Sequence, residues 1–428
     1  MNKQSALGAL VLVLTLALIG VTPSVVTAPA RASTDPFFHY TGSRPLADFA
    51  PGTVLKTRTL PYHLSGVATP ITAVQLLYRT TDAQGRPSAN VTSVLIPLGA
   101  NPAEAVSYQS AYDSLDPDDA PSRAIAGAGA GDNAGSSIFT FEAAMIAPLL
   151  AQRRTVIVSD VEGPNAAFAV GPVYGTATLD SIRAATRSAV TGLNAHTRIG
   201  LFGYSGGAIG TAWAAALAPS YAPEVNRRLV GAAEGGVLVD SARNLRYIDG
   251  SKRWAGVMIM AIIGAARAYD LDLSPYLSAY GARLMTDVAH APITDVLGRY
   301  PRLQWKQMFR PRYQNPDSVT PLTTVMRKTN LAAAPTPTTP MFIGQAANGT
   351  SEGTDNAKPG IGAGDGVMVT ADVRNLARQY CASGNRAVTY RQYDSLAHTD
   401  AVPAWAPEAL RWLNNRFAKG PAPGTCSR

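Results

Sequence analysis

The 428-residue chain is most tightly constrained by Arg198-Ile199-Gly200-Leu201-Phe202-Gly203-Tyr204-Ser205-Gly206-Gly207-Ala208. Its apolar lead-in predicts a buried strand, and the small residues from Ala208 to Leu217 predict a helix. Between them Gly203-Tyr204-Ser205-Gly206-Gly207 fits G-x-S-x-G, a pattern that needs a sharp strand-to-helix turn. A serine at the tip of such a turn is pushed out of the sheet. Its backbone is strained, so the residues two before and two after must lack bulk, which Gly203 and Gly207 provide. The helix start adds backbone N–H groups and a positive dipole end beside the hydroxyl. The pattern occurs twice. Gly349-Thr350-Ser351-Glu352-Gly353 also matches, but it lies in a glycine-rich stretch with no helical run after it, so Ser205 is the favoured nucleophile.

Strand and helix signals alternate around this stretch. Residues 33–61 contain Pro, Gly and aromatics and are expected to wrap the surface. Thr72 to Arg79 and Asn90 to Leu98 predict an antiparallel hairpin. Short strands follow at Ala105 to Tyr108, Thr155 to Asp160, Leu229 to Ala233, Met341 to Gly344 and Val388 to Tyr393. Helical runs lie at Phe141 to Ala151, Leu179 to Leu193, a stretch opened by Thr370, and Ala406 to Phe417. Alternation of this kind implies a mainly parallel, doubly wound α/β sheet. Between residues 237 and 335 the pattern becomes helical, with runs at Trp254 to Tyr269 and at Ser274 to His290, the second opening on Ser274-Pro275. The expected organisation is a core in two parts, 33–236 and 336–428, with a helical cap at 237–335.

Residues 1–32 predict a signal peptide: Lys3, an apolar core from Ala6 to Val21, and an A-x-A site at Ala30-Arg31-Ala32. That core is short for a span and no charged stop follows, so no transmembrane anchor is expected. Two cysteines, Cys381 and Cys426, form an even set in an exported chain and predict one disulfide tying the tail to the last αβ unit. Two cysteines do not make a zinc site. Asp113, Asp116, Asp118 and Asp119 lack the glycine and distal glutamate of a calcium loop and are read as solvated. The formal charge is +8, and +6 without Lys3 and Arg31 of the leader. That is the balance of an ordinary basic secreted protein, with an anionic envelope or lipid surface the partner it would favour. Bases and aromatics interleave from Arg299 to Tyr313, and in an exported chain they are read as a cap face and not as a nucleic-acid surface.

A serine hydroxyl near neutral pH needs a neutral imidazole to take its proton and a carboxylate to hold that imidazole. Of His39, His63, His196, His290 and His398, only His398 follows a late strand and precedes the last helix. Asp355, Asp365, Asp372 and Asp394 are the available acids. Asp372 lies in a first helical turn and Asp394 is too close to His398, which leaves Asp365 preferred over Asp355. The oxyanion needs two backbone N–H donors: one from Gly206, and one from the loop after the strand Ala105 to Tyr108.

With these residues in hand, the chain resembles the secretory lipase family of α/β-hydrolases over nearly all of residues 33–428. The carriers are Tyr108-Gln109-Ser110-Ala111-Tyr112-Asp113-Ser114 with Ala120-Pro121-Ser122, Val158 to Pro164, Gly203 to Gly207, the Asp365 segment, and Tyr393 to His398. The resemblance implies extracellular hydrolysis of triacylglycerols and other carboxylic esters, beneath a helical cap and without metal or organic cofactor. It implies Ser205, Asp365 and His398 as the triad, with Gly206 and the backbone N–H of Asp113 as the oxyanion donors. The chain departs from the family pattern in an enlarged glycine-rich loop between Gly344 and Asp365. Acyl transfer to an alcohol or envelope lipid, and hydrolysis of short-chain esters only, are the alternative activities. A non-catalytic binding protein is disfavoured by the intact Ser, Asp and His.

Overall fold

The elbow stretch sits in the middle of a nine-stranded sheet of order β1-β2-β3-β5-β4-β6-β7-β8-β9. The strands are β1 Val54–Leu64, β2 Val67–Thr81, β3 Pro87–Ile96, β4 Glu104–Gln109, β5 Thr155–Ser159, β6 Arg198–Tyr204, β7 Leu229–Gly235, β8 Met341–Ala346 and β9 Val388–Tyr393. The computed structural model describes residues 35–128, 134–356 and 358–426. The leader read over residues 1–32 lies outside them.

β1, β2 and β3 form an antiparallel meander joined to β5, and β4 to β9 run parallel. The hairpin read from Thr72 and Asn90 is present as β2 and β3. Its partner β1 replaces the surface wrap expected up to residue 61. That strand is an edge strand whose Thr57, Thr59 and Pro61 are exposed on one side while the half-buried residues between them include Lys56 and Arg58, so no apolar alternation marked it. The central strands are different: every residue of β5 and β8 is buried. Covered on both faces, such strands read as continuous apolar runs.

Helices cover the two faces. Gly171–Arg187 (α3), Gly206–Tyr221 (α4) and Thr370–Ala382 (α12) pack on one, and Pro121–Ile125 (α1), Ala134–Ala151 (α2) and Val402–Phe417 (α13) on the other. Between α4 and β7 lies the short Pro223–Asn226 (α5). Several helix starts differ from expectation, among them α2, which begins at Ala134 and not at Phe141, and α13, which begins at Val402 and not at Ala406; three others have a local cause. α3 begins at Gly171 with Pro172 in its first turn, ahead of the apolar periodicity, and ends at Arg187. α12 begins at Thr370 itself, whose hydroxyl donates to the Ala346 carbonyl (2.7 Å) instead of capping.

The third is in the segment between β7 and β8, which holds Ser241–Ile248 (α6), Val257–Tyr269 (α7), Ala279–Val288 (α8), Ile293–Val296 (α9), Trp305–Met308 (α10) and Thr320–Lys328 (α11). α8 is capped by Ser278, whose hydroxyl accepts from Gly281 N–H (3.0 Å). Ser274-Pro275 opens only a turn, because the Ser274 N–H and hydroxyl are both taken by Asp272. These helices share one hydrophobic core with α3 and α4 and belong to the same compact unit as the sheet. Among the described residues, no helix is long and apolar enough to cross a membrane.

The Cys381–Cys426 disulfide joins α12 to the tail. There the Thr425 N–H donates to the Val388 carbonyl (2.7 Å) and its hydroxyl accepts from the Tyr390 N–H (3.0 Å), so the tail lies along β9.

Candidate active site

Ser205 lies between β6 and α4 with φ 56° and ψ −121°, in the left-handed half of backbone space that a side chain rarely adopts. The Ser205 N–H donates to the Gly235 carbonyl (2.8 Å), and the Ser205 carbonyl accepts from Ala208 N–H (2.9 Å), which fixes the turn between strand and helix. The glycines are required by contact. A Cβ on Gly203 would stand 2.4 Å from the Gly207 carbonyl oxygen, and one on Gly207 would stand 2.1 Å from the Gln109 carbonyl oxygen. The side chain of Tyr204 points away from the turn and its hydroxyl donates to the His398 carbonyl (2.7 Å).

The three side chains chosen from sequence are brought together. His398 Nε2 is 2.7 Å from Ser205 Oγ, and His398 Nδ1 is 2.8 Å from Asp365 Oδ2. Asp365 is fully buried. Its Oδ1 accepts from the N–H groups of Val367 (3.0 Å) and Met368 (2.7 Å), and its Oδ2 also accepts from Gln345 Nε2 (2.7 Å). Four donors therefore hold one carboxylate in one orientation. Burial pulls the His398 imidazole down, but the Asp365 carboxylate outweighs it and holds the ring above its ordinary pKa. The alternative acid, Asp355, is exposed and lies near Lys358. Asp372 pairs with Arg243, and Asp394 accepts from Gln392. The second motif's Ser351 is exposed and bonded to Asp400 (3.3 Å).

Asp113 faces the serine from the loop after β4. It has φ 42°, is buried, and its Oδ1 would be 1.9 Å from a Cβ on Gly206. The solvated loop expected for Asp113 to Asp119 is therefore incorrect for two of its residues, since Asp119 is also buried and accepts from Ser114 Oγ (2.6 Å). The segment between β7 and β8 fastens this loop: Ile293 N–H donates to the Asp113 carbonyl (2.8 Å), and Leu115 N–H to the Ala291 carbonyl (3.1 Å). Burial pushes the Asp113 carboxyl up to about 7, against the pull of His398. Behind the loop, Glu142 accepts from Ser110 Oγ (2.5 Å) and Ala111 N–H (2.7 Å) and fixes its start. Among the described residues, no group of three or more His, Cys, Asp or Glu is arranged to hold a metal ion.

A cavity opens at Ser205, Gly206 and Asp113 and runs between α4 and the helices α6, α7 and α11. Its walls are apolar: Ile209 of α4, Val257 and Ile262 of α7, and Leu322 and Val325 of α11. Trp254 closes one side, its ring edge-on to His398 at 5.5 Å and its Nε1 bonded to Glu352 Oε2 (2.6 Å). Glu352 Oε1 accepts from the N–H of Thr399 (2.8 Å), the residue after His398. Glu352 and Gln345 went unnoticed in the sequence, although Glu352 stands inside the second G-x-S-x-G match.

A family model described as secretory lipase matches residues 130–424. Lipase 4 of Candida albicans is 29% identical over 91% of this chain and 82% of its own length. A Mycobacterium tuberculosis protein named "probable inactive lipase" is 31% identical over 92% of this chain and 84% of its own. The X-ray structure of Candida antarctica lipase A superposes with a TM-score of 0.79 and 25% identity, covering 92% of this chain and 88% of that one. With an α/β-hydrolase sheet, a Ser–His–Asp hydrogen-bond chain at its centre and this extent of match, the chain belongs to the secretory lipase family and is a carboxylic ester hydrolase acting on lipid esters.

Proposed function

We propose that the protein is an exported serine esterase that cleaves triacylglycerols and other carboxylic esters through an acyl-enzyme on Ser205. The observation that carries this reading is the unbroken chain Ser205 Oγ, His398 Nε2, His398 Nδ1, Asp365 Oδ2, with links of 2.7 and 2.8 Å. His398 accepts the serine proton as Oγ attacks the ester carbonyl. Asp365 fixes the tautomer and stabilises the imidazolium. Gly206, as the first residue of α4, has a backbone N–H with no intrahelical acceptor. With the N–H of Asp113 it receives the oxyanion. The imidazolium then protonates the departing alkoxide. Water, deprotonated by His398, releases the acid and restores the serine. Residues 237–335 act as the cap, and the apolar cavity beneath α7 and α11 takes the acyl chain. Export through the leader at residues 1–32 is supported by the disulfide, which persists in oxidising compartments.

The test is hydrolysis of chromogenic esters from acetate to stearate by the wild type and Ser205→Ala. Loss of kcat/KM by about 10⁴-fold or more is expected in the variant. Equal measurable rates would sink the mechanism, and no hydrolysis by the wild type would match the inactive state that the name of the M. tuberculosis relative describes. Activity confined to the shortest esters would narrow the substrate class to short-chain carboxylic esters.

A further inference from the structure

The net charge of the chain is not spread over it. Residues 237–335 contain 13 Lys and Arg against 7 Asp and Glu, while the remainder of residues 33–428 contains 22 of each. The whole excess of +6 therefore belongs to the cap. Its densest run is Arg299, Arg302, Lys306, Arg310 and Arg312, with no acidic residue from 296 to 316. All five are exposed, while Leu303, Trp305, Met308 and Phe309 between them are buried, and Trp305 and Phe309 stack at 3.9 Å. The alternation seen in the sequence is thus a folded one, with aromatics turned in and cations turned out. The ion pairs of this region join Arg243 to Asp372, Arg246 to Asp317 and Arg86 to Asp270, and among the described residues none uses these five cations.

Their placement relates to the site. Gly298 N–H donates to the Arg253 carbonyl (2.8 Å) and Arg302 N–H to the Ser251 carbonyl (2.8 Å), which holds Arg299 and Arg302 beside Lys252 and Arg253. Trp254 follows directly, edge-on to His398. Arg299 and Arg302, with Lys252 and Arg253, therefore lie on the part of the cap that adjoins the triad.

Ester hydrolysis supplies the opposite charge. Water and a neutral ester give an alcohol, a carboxylate and a proton, so a neutral lipid surface becomes anionic where it has been cut, provided the acid is long enough to stay in it. We propose that the basic face of the cap docks on the carboxylate-bearing lipid–water interface that the reaction itself creates, and so retains the enzyme where product has accumulated. This rests on the ester hydrolase reading above. Each Lys or Arg near an anionic lipid surface strengthens binding by about fivefold. Exposed charges are screened over about 10 Å at 0.1 M salt, so the retention is salt-sensitive.

Binding is measured by co-sedimentation of the mature protein with vesicles of dialkyl-ether phosphatidylcholine, which holds no ester to cut, with and without oleate at a pH where oleate is ionised. Wild type should bind the oleate vesicles at least about tenfold more tightly, and Arg299→Glu/Arg302→Glu/Lys306→Glu should lose that preference. Rising salt should erase it in the wild type, and soluble octanoate should not compete. Hydrolysis of soluble p-nitrophenyl butyrate, measured in parallel, should be the same in both proteins. Equal binding of wild type to the two vesicles, or a triple variant that keeps the preference, overturns the docking while leaving the esterase reading intact. Absence of butyrate hydrolysis in wild type overturns the esterase reading and the product argument with it.

Discussion

Gly203 to Gly207 and Gly349 to Gly353 carry the same spacing and meet different surroundings. The first follows a strand that is buried from Ile199 to Tyr204 and precedes a sixteen-residue helix, so its serine is forced to φ 56° and projects onto His398. The second is a single 3-10 turn, Gly349–Glu352, closed by Gly353 at φ 77°, and its exposed serine donates to Asp400 (3.3 Å). A Cβ on Gly207 would stand 2.1 Å from a main-chain oxygen, whereas one on Gly353 would stand 2.8 Å from the Cβ of Lys252, a milder clash. Spacing alone is therefore not chemistry: the strand and helix on either side supply the strain, the exposure and the amide donors. Yet the second match serves the first. Its Glu352 ties Trp254 to Thr399 and so braces the loop that presents His398.

Matched substitutions probe this contrast, beginning with the nucleophiles. Ser205→Ala should cost about 10⁴-fold or more in kcat/KM, and Ser351→Ala less than about twofold. A comparable loss in both would break the distinction.

The flanking glycines come next. Gly207→Ala places a Cβ against a main-chain oxygen that cannot rotate away, and should cost about 3 kcal/mol or more in urea unfolding. Gly353→Ala should cost about 1–2 kcal/mol, the strain of a left-handed residue plus a small shift away from the Cβ of Lys252. Similar costs would show that the elbow is no more rigid than the turn.

The third concerns the strand beneath the elbow. Glu234 of β7 is wholly buried, and neither side-chain oxygen has a hydrogen-bond partner among the described residues. Burial pushes its pKa from 4.5 to about 8. The folded state then keeps a proton that the unfolded chain gives up, so the contribution of Glu234 to stability is fully present below pH 4.5 and is lost as pH rises towards about 8. Glu234→Gln should remove a decline on the order of 2–5 kcal/mol, read as the difference in unfolding free energy between wild type and variant across that range. An unchanged slope would show that the carboxylate finds a partner.

The smallest effect falls on the second motif's contribution. Glu352 adds to the negative field that raises the His398 pKa, after burial and Asp365. The base must be neutral to act, so Glu352→Gln should move the acid limb of kcat/KM to lower pH, by a fraction of a unit. A limb moving upward would refute the sign.

Much of the site was legible because it is local. Gly203 to Gly207 contains its own strand-turn-helix context, and His398 stands between a strand and a helix that announce themselves. Order along the chain favours Asp365 over Asp355, and it is Asp365 that lies 2.8 Å from His398 Nδ1. What stayed hidden depends on distant partners. Asp113 sits in a loop fastened by α9 and Ala291, from the distant segment between β7 and β8. Glu352 matters only because Trp254 and Thr399 reach it. β1 carries edge-strand chemistry, which lacks the apolar period that reveals its neighbours.

The tail has a consequence beyond closing a loop. Cys381 and Cys426 enclose 45 residues, and in the chain-entropy account that constraint removes about 4 kcal/mol from the freedom of the denatured state. The same bond keeps Thr425 seated on Val388 and Tyr390 of the outermost strand. An open outer strand is a template for pairing with another molecule, and chains crowded on a surface meet each other often. The disulfide holds a seal against intermolecular β-pairing, so oxidation of two thiols protects the colloidal stability of the protein as well as its fold.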